Sequence, residues 1–407
     1  MDMNKFPLQY FILFNNFLFS ILFIKITYSQ PNIGGVSGDL VHGGTLVING
    51  SNFGTKNPAA PLKWDDCETA VVNDETEVLN RGWVDPWPRF GTSSIEHRIK
   101  YRIAPYHNTS PPHQYSTKYL VGGHYQTPNN IPPYIGPGAE DYRNVMVTAY
   151  AGRPARRWFA IWYVRHDSLW YTPCDQATNE KWDCLNGGPS AYYGSSFLYT
   201  GTDANRSTCY NGLNRWNYFG GFYTYCPNFD DTGQTNNARF DWVKMEHRVA
   251  NDVLGFHDIL IDNIYALRFT ENCPYFWDNL GGEYLSNGIQ SFTVGGYYRH
   301  GTNVNDITTY RGDVNNFRYF DDMYVDTTLA RVILGNAADY SACTLLEPQI
   351  PISWDNNSIT CTINLGRLSN QSRVYVFVFN RDDVRNLNGY PIGEDPPAKP
   401  RGIFIGP

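Results

Sequence analysis

Residues 42–54 read HGGTLVINGSNFG. Side chains alternate between the two faces of an extended chain from Leu46 to Asn49, and glycines at positions 50 and 54 then interrupt the run. This pattern predicts one β-strand followed by a glycine turn.

The composition predicts an all-β protein. Aromatic residues make up 16% and charged residues 17% of the chain, against roughly 25% charged residues in typical domains. There are 30 tyrosines, 36 glycines and 25 prolines. Short alternating runs are separated by Gly, Asn, Asp and Pro clusters, whereas helical periodicity is rare. Strands of this kind favour β-sandwiches.

Residues 1–29 have the pattern of a secretory signal. An apolar run over 6–24 follows a basic residue, and Thr27 and Ser29 precede a predicted cut before Gln30. The alternative is a membrane anchor. We therefore expect a secreted, extracellular protein. Its formal net charge of −7 argues against nucleic acid and anionic membranes as partners.

Cysteine usage agrees with an oxidising compartment. An even number of cysteines behind a signal predicts disulfides. The eight are Cys67, Cys174, Cys184, Cys209, Cys226, Cys273, Cys343 and Cys361. Proximity in sequence favours Cys174–Cys184, Cys209–Cys226 and Cys343–Cys361, which leaves Cys67–Cys273. A zinc site is the rival reading, but C-x2-C and H-x3-H spacings are absent from the sequence.

Five N-x-S/T triplets are predicted to carry N-linked glycans if the host is eukaryotic. They begin at Asn49, Asn108, Asn205, Asn356 and Asn370.

The opening stretch resembles the first strands of an immunoglobulin-like TIG/IPT domain, with their G-x-x-h-x-I-x-G-x-x-F-G pattern. Residues 330–335, 351–363 and 374–380 resemble its later strands. We therefore expect residues 30–63 and 328–395 to form one discontinuous domain, with 396–407 as a tail. Together the two parts have the length of such a sandwich, about 100 residues. The alternative is a separate C-terminal immunoglobulin-like domain.

Residues 64–327 are predicted to form a second domain. Residues 240–248, 257–263 and 317–326 resemble strands of a concanavalin-like jelly roll. That resemblance makes polysaccharide lyase or glycosidase the enzyme classes to test. The glucanase motif E-x-D-x-x-E is absent from the sequence. Residues 218–225 and 246–248 echo alginate-lyase motifs only in part, so no catalytic residue is assigned. These observations favour a non-enzymatic role, with polysaccharide lyase as the alternative.

Aromatic side chains over 170–225 could stack on sugars. The candidates are Trp170, Trp182, Trp216, Tyr218 and Tyr223. The alternative is that these rings pack loops onto the sandwich.

No cofactor is expected, although a calcium site is an alternative. Asp321 and Asp322 with Asp326, or Asp230 with Asp231, provide oxygen ligands of the hard type. The other interpretation is that Asp321 and Asp322 end a strand and lie in a turn.

The sequence thus predicts a secreted, N-glycosylated, non-enzymatic structural protein that self-associates into a homopolymer or filament. The segment Gln30–Leu40 would pair either within its own domain or with the next subunit. The alternative function is a carbohydrate-binding protein, or a polysaccharide lyase, with a polysaccharide as partner.

Overall fold

The structure is a computed structural model. It describes residues 29–74, 76–84, 99–106, 108–126, 142–166, 179–186, 196–201, 214–219, 222–223, 242–250, 256–269, 289–299 and 314–393.

Twenty-two strands and one short α-helix are found in the described residues. The helix α1 covers Glu77–Asn80, and 3₁₀ turns cover Tyr340–Ala342 and Gly366–Asn370. The strands are β1 (Asn32–Ser37), β2 (Thr45–Ser51), β3 (Lys63–Asp65), β4 (Lys100–Ile103), β5 (Lys118–Gln126), β6 (Tyr142–Ala155), β7 (Arg157–His166), β8 (Asn179–Asn186), β9 (Ser196–Gly201), β10 (Asn214–Phe219), β11 (Phe222–Tyr223), β12 (Val243–Ala250), β13 (Phe256–Ile261), β14 (Ile264–Phe269), β15 (Ile289–Arg299), β16 (Val314–Asp326), β17 (Arg331–Gly335), β18 (Leu346–Pro348), β19 (Ile350–Trp354), β20 (Ser358–Thr362), β21 (Arg373–Phe379) and β22 (Tyr390–Gly393).

The strands form a small and a large antiparallel sandwich, so the all-β prediction is confirmed. The small sandwich has two four-stranded sheets, ordered β1-β2-β20-β19 and β18-β17-β21-β22. The large sandwich has a six-stranded sheet, β11-β10-β9-β8-β15-β6, and an eight-stranded sheet, β14-β13-β12-β7-β16-β5-β4 with β3 paired to β16.

The opening stretch forms β2 at the centre of the small sandwich. Leu46 lies opposite Cys361, and Ile48 opposite Ile359, on the paired strand β20. All four side chains are buried in one apolar cluster. Strands from distant parts of the chain therefore share one core, as a discontinuous domain requires. The limits expected at residues 63 and 328 stay a prediction.

The segment Gln30–Leu40 pairs within its own chain. Its strand β1 is antiparallel to β2, from Asn32 opposite Ser51 to Ser37 opposite Val47. The sequence left two possible partners for this segment, its own domain and the next subunit. In the structure the segment pairs with its own domain.

The core of the large sandwich lies between its two sheets. Trp158 and Trp162 on β7 contact Phe292 on β15, with ring centroids 6.4 and 5.8 Å apart. Phe159 and Ile161, which alternate with these core residues on β7, point the other way, as the two-residue period of a strand requires.

Those intervening residues meet the small sandwich. Phe159 and Ile161 share an apolar cluster with Ile333 on β17 and Phe377 on β21. The eight-stranded sheet is thus buried on both faces along β7 and β12, where every described residue of β12 is buried. Burial on both faces explains why β7 reads as a continuous apolar run.

An ion pair joins the two places where the chain passes between the sandwiches. Lys56 lies between β2 and β3, Asp326 ends β16, and Lys56 Nζ is 2.8 Å from Asp326 Oδ2. Both side chains are buried, so loss of either partner would leave an uncompensated buried charge.

Helices play little part in the fold. In the portion of the chain that the structure describes, none is long and apolar enough to cross a membrane.

Candidate functional site

The predicted sugar-binding aromatics concentrate on one sheet. Trp182 lies on β8, Trp216 and Tyr218 on β10, and Tyr223 on β11, and all three strands belong to the six-stranded sheet. Their side chains, and the whole of Trp170, lie outside the described residues. The backbone therefore brings four of the five candidates to the same sheet.

The two faces of the six-stranded sheet can be told apart at β6 and β15. Val147 and Ala149 on β6 and Phe292 on β15 belong to the apolar core. The alternate residues Thr148 and Thr293 lie opposite each other and face away from that core. Their hydroxyl oxygens are 2.8 Å apart and buried. We call this second side the outer face of the six-stranded sheet.

The outer face carries an exposed aromatic ring near the sheet edge. Tyr150 is two residues beyond Thr148 on β6, and its side chain is 36% exposed. Its hydroxyl lies 3.5 Å from Gln290 Oε1. A flat ring beside an amide offers both a stacking surface and hydrogen-bonding groups.

Strand register connects this edge with the predicted aromatics. Thr293 lies opposite Cys184, Cys184 opposite Phe197, and Phe197 opposite Trp216. Trp216 therefore occupies the same cross-strand row as Thr293. Trp182 is the additional residue at a β-bulge between β8 and β9, where Lys181 and Asp183 oppose adjacent residues.

A second polar region lies at the joint between the two sandwiches. His113 Nε2 is 3.0 Å from Asp322 Oδ2, and Asn364 Nδ2 donates to the same oxygen at 3.1 Å. Burial lowers the pKa of His113, but the Asp322 carboxylate outweighs this effect, and the pKa is raised overall. Asp322 therefore connects a loop of the large sandwich with the small one.

Ser116 completes a Ser–His–Asp set that does not suit nucleophilic catalysis. Ser116 Oγ is 3.2 Å from both ring nitrogens of His113, so neither nitrogen is singled out as the base. Ser116 is also only 4% exposed. A nucleophile needs an aligned base and access to substrate, and this arrangement has neither.

The joint continues around Glu347 on β18. Tyr163 donates its hydroxyl to Glu347 Oε1 at 2.5 Å, and the Arg367 backbone N–H donates to the same oxygen at 3.1 Å. Lys244 Nζ donates to the Leu346 carbonyl. Burial raises the pKa of Glu347, and Lys244 partly counteracts the effect.

Gly366 permits the close approach of Glu347. Its φ is +41°, and a Cβ at this position would lie 2.5 Å from Glu347 Cδ. Because the carboxyl group fills the space that a side chain would need, Gly366 serves packing here.

Asp321, Asp322 and Asp326, the residues of the calcium alternative, lie on one strand, and two of them bond to different partners. Asp326 pairs with Lys56, whereas Asp322 binds His113 and Asn364. Among the described residues, no group of three or more His, Cys, Asp or Glu is placed to hold a metal ion. The alternative pair, Asp230 and Asp231, lies outside the described residues.

The expectation that Asp321 and Asp322 end a strand in a turn is wrong. Both are buried inside β16, where the register with β7 shifts between Asp321 and Tyr324. Asp322 has φ = +47°. Burial, then the neighbouring Asp322 carboxylate, raises the pKa of Asp321 well above its ordinary value.

Two of the four predicted disulfides are not formed. Cys67, Cys343 and Cys361 are buried free thiols, so neither Cys343–Cys361 nor Cys67–Cys273 is formed. Cys361 lies in the core of the small sandwich, whereas Cys343 packs in the cluster between the two sandwiches. The five cysteines Cys174, Cys184, Cys209, Cys226 and Cys273 have side chains outside the described residues.

The partial lyase motif at 246–248 lies at the joint. Arg248 pairs with Asp258 at 2.7 Å and with Asp383 at 3.0 Å, and its Nε is 3.4 Å from Glu246. His247 points into the core, 5.2 Å from the Phe292 ring. These residues hold the sandwiches together and do not form an open cleft.

Sequence reasoning missed the joint because its members are far apart in the chain. His113 was one of several scattered histidines in a proline-rich stretch. Its partner Asp322, and Asn364, which binds the same carboxylate, are more than two hundred residues away. The only local signal was the adjacent pair of acidic residues within an apolar strand.

Comparisons with protein-family profiles and with curated proteins find no match. Solved structures similar to this chain include an endo-β-1,4-glucuronan lyase from Trichoderma reesei, with 15% identity, coverage of 61% of this chain and 92% of that one, and a TM-score of 0.36. A GH131 β-glucanase catalytic domain from Podospora anserina has 11% identity, coverage of 63% and 96%, and a TM-score of 0.33.

The carbohydrate recognition domain of Emp47p has 9% identity, coverage of 54% of this chain and 90% of that one, and a TM-score of 0.23. At these identities and TM-scores the likeness carries no conclusion about the activity of this chain.

Proposed function

We propose that this chain is a secreted carbohydrate-binding protein that contacts sugars with the outer face of its six-stranded sheet. The observation that carries the proposal is the placement of Tyr150 and Gln290 at the exposed edge of that face. The row containing Trp216 extends the same face across the sheet. Aromatic rings stack on the C–H faces of sugars, and amides and hydroxyls bind their oxygens.

The other large sheet is a poorer candidate because its second face is occupied. Phe159 and Ile161 pack against the small sandwich, and Tyr163 is bonded to Glu347. A polysaccharide reaching those residues would have to displace a buried apolar contact. This leaves the six-stranded sheet as the binding surface.

The positions of the described acidic and basic side chains favour sugar binding over sugar cleavage. Asp322, Glu347 and His113 are grouped at the joint, on the far side of the eight-stranded sheet from Tyr150. General acid–base catalysis needs such groups within hydrogen-bond reach of the substrate. Polysaccharide lyase activity is therefore the less favoured alternative.

A filament built by strand addition has less support. β19, at one edge of the small sandwich, contains Pro351 and a register shift next to it. β22, at the edge of the other sheet, contains Pro391. Prolines and bulges at edge strands discourage pairing with another chain. Sedimentation of the purified protein as a monomer at high concentration would agree with this reading.

N-linked glycosylation remains part of the proposal. Asn49, Asn108, Asn356 and Asn370 are exposed, as a glycosylated asparagine must be. Asn205 lies outside the described residues. Mass spectrometry of the secreted protein before and after glycosidase treatment would show which sites are used.

A glycan array tests the central proposal. Wild-type protein should bind at least one glycan class, and Trp216→Ala should lose that signal. Leu387→Ala is the matched control, because Leu387 is exposed on the small sandwich. An array on which wild-type protein binds nothing would refute the proposal.

A further inference from the structure

Residues 108–117, here called the strap, cross the joint between the two sandwiches and are bonded to both. The strap contacts are Trp242 Nε1 to the Ser110 carbonyl at 2.7 Å, Thr117 N–H to Glu68 Oε1 at 2.7 Å, and the Tyr115 ring stacked on His42 with centroids 4.0 Å apart. His42 precedes β2 of the small sandwich and accepts a hydrogen bond at Nδ1 from the Leu365 backbone at 3.3 Å.

The middle of the strap is fastened by a titratable group. The His113 side chain is buried against Asp322 on β16. The same Asp322 oxygen also receives Asn364 of the small sandwich. One hydrogen-bonded centre therefore connects the strap with both sandwiches.

The surroundings of His113 are rich in acidic groups from several elements. Its charged and titratable surroundings are Asp321 and Asp322 on β16, Tyr163 on β7, Lys244 on β12, Glu347 on β18, Asp262 before β14, Arg367 on the 3₁₀ turn, His42 before β2, and Asp66 and Glu68 after β3. An imidazolium at position 113 balances part of this negative charge in a dry environment, where charge pairs interact strongly.

We infer that the strap is a pH-dependent fastener of the joint, tight while His113 carries its proton and His42 does not. When pH rises, His113 loses its charge and Asp321 ionises beside Asp322, so both changes weaken the centre. When pH falls instead, His42 becomes protonated at Nδ1, and the Leu365 N–H loses its acceptor. The His42 ring, on which Tyr115 of the strap stacks, is then held less firmly by the small sandwich.

The pKa directions agree with this sequence of events. Asp322 raises the pKa of His113 against the effect of burial, so its stabilisation is complete below about pH 6.5 and is lost as pH rises through the raised pKa. Burial lowers the pKa of His42, so its contribution is complete above about pH 6.5 and is lost as pH falls through the lowered pKa. The strap is therefore tightest around that pH.

Hydrogen exchange of the full chain tests the inference. Ser116 N–H donates to the His113 carbonyl at 3.2 Å, so its protection factor reports on the strap. We expect protection of Ser116 and Thr117 to fall about tenfold for each unit of raised His113 pKa between about pH 6 and pH 8. Protection of Met245 on β12 should stay constant.

The variant His113→Gln retains a hydrogen-bond donor but cannot titrate, so its strap protection should vary much less with pH over the same range. Equal protection of the wild-type strap at both pH values, or an undiminished fall in His113→Gln, would overturn the inference. If the variant fails to fold, an NMR titration of the wild-type rings decides. His113 must titrate above about pH 6.5 and His42 below it, and the reverse order would refute the fastener.

Discussion

The two sheets of the large sandwich share one core but differ in what lies behind them. Along β7 and β12 the eight-stranded sheet is buried on both faces, by the core and by the small sandwich. The six-stranded sheet has the same core on one side, and on the other it presents Tyr150 at its edge. A second buried face restricts that part of a sheet to packing, whereas an exposed ring such as Tyr150 is accessible for binding.

Polar groups follow the same division. On the covered face the polar side chains bond to one another, as Tyr163 does with Glu347 and Arg248 with Asp258. On the outer face of the six-stranded sheet they are hydroxyls and an amide, at Thr148, Thr293 and Gln290. Substitutions on the first face should therefore change stability, and substitutions on the second should change binding.

The largest stability loss is expected for Phe159→Ala. Phe159 is fully buried between the sandwiches and packs beside the Arg331 guanidinium, 4.5 Å from its ring centroid. Removing a buried phenyl ring costs about 3–5 kcal/mol of unfolding free energy. Urea denaturation measures it. A loss as small as that of exposed Leu387→Ala would show that the joint is not a packed interface.

A smaller loss is expected for Tyr163→Phe, which removes only the hydroxyl bonded to Glu347. The buried carboxylate loses a donor, at a cost of about 1–3 kcal/mol. Tyr150→Phe is the matched control on the other sheet and should be close to neutral. Equal unfolding free energies for the two variants would contradict the distinction between the sheets.

Asp321→Asn should have the opposite sign at neutral pH. Because burial and Asp322 raise the pKa of Asp321, its ionisation destabilises the fold as pH rises through that pKa. Asparagine cannot ionise, so the substitution removes this loss. Above the raised pKa, the unfolding free energy of the variant should exceed that of the wild type by about 1.4 kcal/mol for each unit by which the pKa is raised. At acidic pH the difference should be small. Parallel stability–pH curves for the two proteins would contradict the prediction.

The smallest effect on stability is expected for Tyr150→Ala. The ring is partly exposed, and its hydroxyl lies at the long limit of hydrogen bonding to Gln290. Surface changes of this kind usually stay within about 0.5 kcal/mol. Thermal unfolding beside Leu387→Ala is the appropriate measurement. A loss comparable with that of Phe159→Ala would mean that the ring belongs to the core.

Local patterns were sufficient for the fold class, and failed where distant residues meet. The strand at 45–51 was predictable because its apolar positions alternate and a glycine follows. Asp321 and Asp322 were misplaced because acidic residues normally leave a strand, whereas here a bulge and partners from other elements keep them inside. The Cys343–Cys361 pairing failed because proximity in sequence says nothing about which core a side chain joins.

The candidate binding face shows the same limit. The cluster of aromatics at 170–225 was visible in the sequence, and strand assignment placed four of its five members on one sheet. Tyr150 and Gln290 were not predicted, because an exposed tyrosine in a tyrosine-rich chain carries no local signal. Only the pairing of β6 with β15 brings the two together.

The most direct test of the account is the affinity of Tyr150→Ala, beside wild-type protein and Leu387→Ala, for the glycan that the wild type binds best. Titration calorimetry should show at least about a tenfold rise in Kd for Tyr150→Ala, equivalent to about 1.4 kcal/mol, with Leu387→Ala unchanged. Unchanged affinity in Tyr150→Ala, with a loss in a variant of the covered face that remains folded, would place the binding surface on the other sheet and contradict the account.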